Sequence, residues 1–497
     1  MLAARSWLAG ERLTRWFLAA ILTFGVLIRL VQYLARRSLW LDEASLALNF
    51  FDRGFAKLLL PLEKNQSAPL GFNAATELVV QIAGLSEWSL RFLPFLGGLA
   101  ALFCFWRLSR RWLSGGALLF TNYSFAISAM LIYYSNEFKP YILDVLLSIA
   151  VSWAVLVWWE DGAPRRRLPW IAALGVLGIC FSFPVIFVLA GVGVVVSFAC
   201  WRERRYPQLA GLIAVAAIWL VTFGGLYLLS TRQIASMDGL TAYWRQTGAF
   251  MPLPPWKPAS LRWLVTNFFN YFHDVAGLHH SRNIFQFIFL VGVIELVRRR
   301  ATIRLCALLA PILLAVLASA LERYPFQIRL ALFTVPMALL ICGEGMRCLL
   351  TRLRHPALQI ALVGMALFSP TVYSLPQLWH PLEAEEVRPL AEYLQREAKA
   401  QDVVLVFRDN SSFAFYARSL GLPLTAIPFD PEGLPSVWPQ IAAGMQLNRH
   451  HWLVISHFTD AERDAVLAEL RSRCRVRLVS EQIGAQLFAL EPLSSSE

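Results

Sequence analysis

The sequence predicts a polytopic α-helical membrane protein with a small α/β domain at its carboxyl end. Three observations predict it. Of 497 residues 57% are hydrophobic and only 16% charged, with 34 Phe and 18 Trp, a balance foreign to a water-soluble enzyme. Apolar runs of about twenty residues recur, each long enough to cross a bilayer as a helix. From about Leu378 the runs shorten, charge returns, and strand-like and helix-like patterns alternate.

Taken in order, the apolar runs occupy roughly residues 16–35, 90–106, 115–134, 141–159, 168–183, 184–200, 208–229, 283–297, 303–321, 328–345 and 357–376, eleven spans in all. The first contains Arg29 and no small-residue cleavage site, so it is expected to remain a span and not to be removed as a signal peptide. The division at Pro184 is decided by charge. Basic clusters stand at Arg5/Arg12/Arg15, Arg107/Arg110/Arg111, Arg165/Arg166/Arg167, Arg202/Arg204/Arg205, Arg298/Arg299/Arg300/Arg304 and Arg347/Arg352/Arg354. With eleven spans every cluster falls on one side, which the positive-inside rule makes the cytoplasm. The +12 net charge thereby belongs to membrane anchoring and implies no nucleic-acid partner. The seven Cys form no CxxC pair, so neither a zinc cluster nor a disulfide framework is indicated. The expected organisation is a membrane domain over 1–376, with outside loops 36–89 and 230–282, and an outside α/β domain over 377–497.

The outer face carries the residues of chemical interest. The stretch Arg36–Gly71 follows the first span and sets Asp42 and Glu43 in apolar surroundings, where carboxylates are costly unless they face water, a partner or a substrate. Leu46, Phe50 and Phe51 give an apolar face, so an amphipathic helix at the membrane surface is expected to begin at the acidic pair. The plainer alternative is that the two acids merely cap that helix. Pro61 ends it, Pro69-Leu70-Gly71 is a turn, and Phe72–Ile82 is expected as a second surface helix. Asn65-Gln66-Ser67 has the form of a glycosylation acceptor, too common a triplet to weigh. Also outside are the turn Tyr133–Tyr141 and the segment Glu322–Arg329. The 230–282 loop is too long for a mere connection. It holds a stiff proline-rich piece, Met251–Pro258, a helix-compatible piece, Leu261–Tyr271, and then His273, Asp274, His279 and His280. These four could ligate a divalent ion (Mg, Mn or Zn) or simply be interfacial polar groups, since no strong ligand spacing is present.

In the carboxyl domain Val387–Glu397, Phe413–Arg418 and Asp460–Arg471 read as helices. Asp402–Phe407, Trp452–Ile455, Val476–Val479 and Gln486–Leu490 read as strands. No glycine-rich phosphate loop is present, so binding or docking is expected of this domain more than catalysis.

Read together, these motifs make the chain resemble the C-type polyprenyl-phosphate-sugar glycosyltransferases. Within them it is most similar to the bacterial branch related to aminoarabinose transferase of lipid A and protein O-mannosyltransferases. The residues that carry the resemblance over most of 15–345 are Leu39-Trp40-Leu41-Asp42-Glu43-Ala44, Pro69-Leu70, Glu87–Pro94, Tyr134–Tyr141, Arg323-Tyr324-Pro325 and Arg329. The resemblance implies a C-type glycosyltransferase fold and a periplasm-facing site in a bacterial inner membrane. It maps the base onto Asp42 with Glu43 as neighbour, and a second acid near donor or metal onto Glu137. Lys139, Arg323 and Arg329 are its options for the carrier phosphate, with Tyr141, Tyr324 and Lys64 as further substrate-binding candidates. Lys139 stands where family members often have Arg, Ala68 replaces the first of a frequent pair of prolines, and no late-loop histidine matches the family's metal ligand.

The chemistry is self-contained. A sugar on a lipid phosphate is an activated donor. Its transfer needs a carboxylate to take or orient the acceptor proton, cations on the departing phosphate and a dry groove for the isoprenyl chain. Direct displacement inverts the anomeric centre. The resemblance implies a glycan, lipid or protein of the cell envelope as acceptor. The alternative class is a transporter or flippase of lipid-linked intermediates, to which Arg29 and Asp144 within spans speak. A non-catalytic assembly partner is the third.

Overall fold

A computed structural model describes residues 2–231, 238–279, 283–408, 410–430, 433–446 and 450–492. The amino-terminal part is helical throughout: α1 (Leu2–Leu34), α2 (Leu41–Ala47), α3 (Leu70–Ala83), α4 (Glu87–Trp112), α5 (Gly115–Ile127), α6 (Ala129–Tyr134), α7 (Tyr141–Glu160), α8 (Leu168–Phe181), α9 (Val185–Arg202) and α10 (Tyr206–Leu226). Helices Asp238–Gln246, Pro258–Asn270, Ile284–Arg298, Thr302–Ala320, Val335–Arg352 and Pro356–Ser374 follow. Among the described residues eight helices are long and apolar enough to cross a membrane: Glu11–Leu34, Glu87–Trp112, Tyr141–Glu160, Val185–Arg202, Tyr206–Leu229, Thr302–Ala320, Ile328–Arg352 and Pro356–Leu378. The other three expected spans are helices of 13, 14 and 15 residues, at Gly115–Ile127, Leu168–Phe181 and Ile284–Arg298. The first of these breaks at Ser128 and resumes as α6.

The chain does break at Pro184. Gly211 packs against Leu168 and Gly175 against Trp219, so α8 and α10 run in the same direction and α9 returns between them. The basic clusters also gather at one end. Arg111 pairs with Glu160 at 3.4 Å and with Asp161. Arg304 reaches Glu160 at 2.8 Å and Glu344 at 3.4 Å, and Arg347 also binds Glu344. Arg352 is 3.8 Å from Glu295, and Arg205 lies over the Trp159 ring. These contacts join the late ends of α4 and α7. The early ends of α4 and α7, at Glu87 and Tyr141, therefore lie at the opposite end of the bundle, with the outer loops.

The carboxyl domain has a five-stranded sheet of order β2-β1-β3-β5-β4. Its strands are β1 (Val403–Phe407), β2 (Thr425–Phe429), β3 (His451–Ser456), β4 (Arg475–Gln482) and β5 (Ala485–Glu491). β1 runs parallel to β2 and β3, while β5 is antiparallel to β3 and β4. Alternation along β1 sends Leu405 and Phe407 to one face and Val404 and Val406 to the other. The first face is covered by helices Leu434–Gln446 and Asp460–Arg471, through Ile441, Val466, Leu467 and Leu470. The second shares one apolar core with helices Arg388–Glu397 and Ser411–Ser419 and with Leu39, Leu46, Phe50, Phe72 and Phe138 of the membrane domain. The sheet is thus built onto the outer loops.

Several expectations change. The surface helix from Asp42 is shorter than its apolar pattern: α2 ends at Ala47, a 3-10 turn covers Leu48–Phe50, and Leu46 and Phe50 are buried under the carboxyl domain, not laid on lipid. Strand β2 and helix Leu434–Gln446 were not expected. Pro428 and Pro439 disguise them, and an edge strand tolerates proline where a central one does not. His280 of the metal candidates lies outside the described residues.

Candidate active site

Asp42 and Glu43 stand in the first turn of α2. The residue before the turn, Trp40, is extended and offers no side-chain cap, and neither acid caps the helix, so the capping alternative fails. Neighbours on a helix point about 100° apart, and the two carboxylates go to different places. Glu43 is fully buried and accepts from Arg91 Nε at 2.8 Å and Nη2 at 2.5 Å, and from the Phe138 N–H at 2.6 Å. Burial pushes its pKa up, but the charge and hydrogen bonds of Arg91, with the Arg37 charge and the Phe138 N–H, together outweigh it and hold it below the usual carboxylate range. Arg91 also donates to the carbonyls of Arg37 at 2.7 Å and Ser38 at 3.0 Å. Glu43 is therefore a pin joining α2, α4 and the Tyr134–Tyr141 turn. Removing one partner of such a buried pair costs about 3–5 kcal/mol.

Asp42 is partly exposed, its side chain 21% accessible. Lys139 Nζ donates to its Oδ1 at 3.0 Å, Arg329 Nη1 is 3.3 Å from its Oδ2, and Gln66 Nε2 is 3.5 Å from Oδ1. Burial raises its pKa, yet the charges of Lys139 and Arg329 more than compensate and keep it ionised. Lys139 donates also to Gln66 Oε1 at 2.6 Å. The Arg329 guanidinium lies over the rings of Tyr141 and Trp244, 5.8 and 5.7 Å from their centroids. Its Nε has no hydrogen-bond partner.

Glu137 lies in the same turn as Lys139. It is fully buried, and neither carboxylate oxygen has a hydrogen-bond partner. Burial, reinforced by the charges of Glu43 and Asp42 and opposed by Arg37 and Arg329, pushes its pKa up to about 7. Two acids of one cluster are thus driven apart, one charged and one near half-protonation at neutral pH, which is how acid and base roles are separated.

The remaining expected site residues divide. Tyr141 is in the cluster, beneath Arg329. Tyr324 braces it, its hydroxyl donating to the Leu330 carbonyl at 2.8 Å within the 3-10 segment that carries Arg329. Arg323 and Lys64 are exposed and no contact joins either to Asp42. His273, Asp274 and His279 bond one another, His273 Nδ1 to Asp274 at 2.6 Å and His279 Nδ1 to His273 Nε2 at 3.4 Å. Among the described residues no group of three or more potential ligands is arranged to hold a metal ion. At Asp42 two side-chain cations already stand where a divalent ion would, so this cluster does not fit one. Arg91, Arg37, Gln66 and Trp244 were missed. Arg91 sits inside the Glu87–Pro94 motif, and its placement four residues after Glu87 on a helix was the available signal.

Two cavities flank helix Pro258–Asn270. One, of about 680 Å³, is lined by Arg262, Trp263, Asn267, Asn270, Gln327 and Ile328, and so ends one residue from Arg329. The other, of about 1010 Å³, is lined by Phe269, Ile284, Met365 and Phe368. Neither is lined by Asp42.

The family model described as dolichyl-phosphate-mannose-protein mannosyltransferase matches residues 67–223, less than half of the chain. None of the curated proteins matches it in sequence. In three dimensions it is similar to ArnT from Cupriavidus metallidurans in the apo state, with TM-score 0.54 and 15% identity over 98% of both chains. The same protein bound to undecaprenyl phosphate gives TM-score 0.53 and 14% identity over 95% of this chain and 98% of that one. The oligosaccharyltransferase of Archaeoglobus fulgidus, in complex with zinc and sulfate, gives TM-score 0.54 and 12% identity over 95% of this chain and 73% of that one. At such identities the likeness is one of fold.

Proposed function

From the premise that this is a multi-pass membrane chain of the C-type glycosyltransferase fold, we propose that it is an inverting glycosyltransferase. It moves a sugar from a polyprenyl-phosphate donor to a cell-envelope acceptor, on the periplasmic face of a bacterial inner membrane that it crosses eleven times. The supporting observation is Asp42 held between Lys139 and Arg329, beside the buried Glu137.

The resting cluster explains how charge would be managed. Lys139 and Arg329 neutralise Asp42. A donor phosphate competes for the same two cations, and as they turn to it Asp42 loses its compensation and gains basicity. Asp42 then accepts the proton of an acceptor hydroxyl, whose oxygen bonds to the anomeric carbon. The bond from that carbon to the phosphate oxygen breaks, its electron pair leaving with the polyprenyl phosphate, where the two cations meet it. Gln66 orients Lys139, and Glu137 is the second acid, with a pKa suited to a proton relay. In this reading the chemistry lies in 1–376, with 377–497 docked on it.

The test uses purified protein and a polyprenyl-phosphate sugar. Lys139→Ala and Arg329→Ala are expected to weaken donor binding by roughly 1.5–3 kcal/mol, with Arg323→Ala near wild type. Asp42→Asn is expected to lower single-turnover transfer by roughly 10²–10⁴ with donor binding retained. Transfer by Asp42→Asn at the wild-type rate removes the assignment of the base.

A further inference from the structure

Segment 36–40, which delivers Asp42 to the cluster, belongs to no helix or strand, so its backbone groups need partners from elsewhere. The carboxyl domain supplies them. The Ser38 N–H donates to Glu386 at 3.0 Å, and the Ser38 hydroxyl donates to the same carboxylate at 2.7 Å. The Leu39 N–H donates to the Tyr416 hydroxyl at 2.7 Å, which in turn donates to Glu87 at 3.1 Å. The Leu41 N–H, in the first turn of α2, is 3.3 Å from Glu385 Oε2. Arg388 Nη1 holds the Arg36 carbonyl at 2.7 Å. These contacts span some 350 residues of sequence.

The acceptors are buried carboxylates, costly groups to place against neutral N–H donors. Glu385 and Glu386 are held there from behind. The Glu386 N–H donates to the Ile483 carbonyl at 2.8 Å, and His457 Nδ1 bonds Glu385 Oε1 at 2.6 Å. The turn at Gly484 has φ +66°, and any Cβ there would strike the Ala384 carbonyl, so the β4–β5 turn is shaped to press 384–386 onto 38–41.

We infer that Glu385, Glu386 and Tyr416 are positioning residues, through which the carboxyl domain fixes the backbone of 38–41 and so the place of Asp42 between Lys139 and Arg329. The inference rests on the glycosyl-transfer reading above. It predicts that loosening the clamp costs turnover more than donor binding, because the phosphate contacts come from Lys139 and Arg329 on other elements.

The test measures two things on the full chain: amide hydrogen exchange over residues 38–47, and transfer kinetics. In Glu386→Ala and Tyr416→Phe, exchange over that segment is expected to quicken about tenfold or more. Transfer kcat is expected to fall about 10²-fold, the cost of an ångström-scale misplacement. Donor KM is expected to stay within about twofold. Glu386→Gln keeps an acceptor oxygen and is expected to restore both readouts, and Glu469→Ala, on the far helix of the domain, leaves both unchanged. Faster exchange with wild-type kcat, or unchanged exchange, overturns the positioning role. The two failures separate: wild-type protein without turnover overturns the proposed function, whereas active wild type with fully active variants overturns only the clamp.

Discussion

At the scale of single residues, the cluster works by unequal treatment of like groups. Asp42, Glu43 and Glu137 are all carboxylates within one turn or one contact of each other, yet each has a different counter-charge. Glu43 has Arg91 to itself, Asp42 shares Lys139 and Arg329, and Glu137 has no hydrogen-bond partner on either oxygen. The pKa of Glu137, raised from the ordinary 4.5 to about 7 by burial first, makes a prediction with a definite sign. Between those values the folded protein holds a proton that the unfolded chain has lost, so this group's contribution to stability falls as pH rises across that window. Glu137→Gln cannot lose the proton. Its apparent melting temperature in detergent is expected to match wild type near pH 4.5 and to exceed it by a few degrees at pH 8. A constant difference between the two proteins across that range counts against a neutral Glu137. The same variant is expected to flatten the neutral limb of the transfer pH profile.

At the scale of elements, the helix that follows Arg329 is placed by close backbone approaches. Gly292 of helix Ile284–Arg298 faces the Ile341 carbonyl, and Gly345 of helix Val335–Arg352 faces the Ile288 carbonyl, so a methyl group at either would collide with backbone. Small residues at a crossing let membrane helices pack without a hydrophobic driving force between them. Gly345→Ala is expected to destabilise the detergent-solubilised protein by about 1–3 kcal/mol, read as a lower melting temperature. Helix Val335–Arg352 follows directly on the 3-10 turn that bears Arg329, so donor affinity is expected to fall in the same variant. α4 plays a second kind of part. Its first turn presents Glu87 to Arg36 and Arg388, and one turn later Arg91 to Glu43. A single helix end thereby ties together the first outer loop, the carboxyl domain and the Tyr134–Tyr141 turn.

At the scale of the whole molecule, charge separates the two ends of the bundle. One end is a lattice of Arg111, Arg304, Arg347 and Arg352 with Glu160, Glu295 and Glu344. The other carries the candidate site and the carboxyl domain. With the positive end in the cytoplasm, a periplasm-active phosphatase fused after Leu490 is expected to give a high signal, and one fused at Arg166 a low one. Equal low signals at both positions would place the candidate site on the cytoplasmic side.

The sequence by itself determined the class of molecule and the positions of most of its helices. Each is a matter of local composition and period: apolar runs read as helices, arginines mark one membrane side, and strands Val403–Phe407 and His451–Ser456 are short runs of branched and aromatic residues. Asp42, Glu137, Lys139 and Arg329 stand in outer loops beside spans, and the resemblance to the C-type glycosyltransferases is what gave them roles. What the tertiary structure alone decided was pairing. Nothing in the sequence near Glu43 points to Arg91, 48 positions on, and nothing near Ser38 points to Glu386, 348 positions on. Arg323 and Arg329 look alike as text, yet only Arg329 turns inward to Asp42. Such choices depend on which helix ends the fold brings together, and burial then makes a partner obligatory for every charge it encloses.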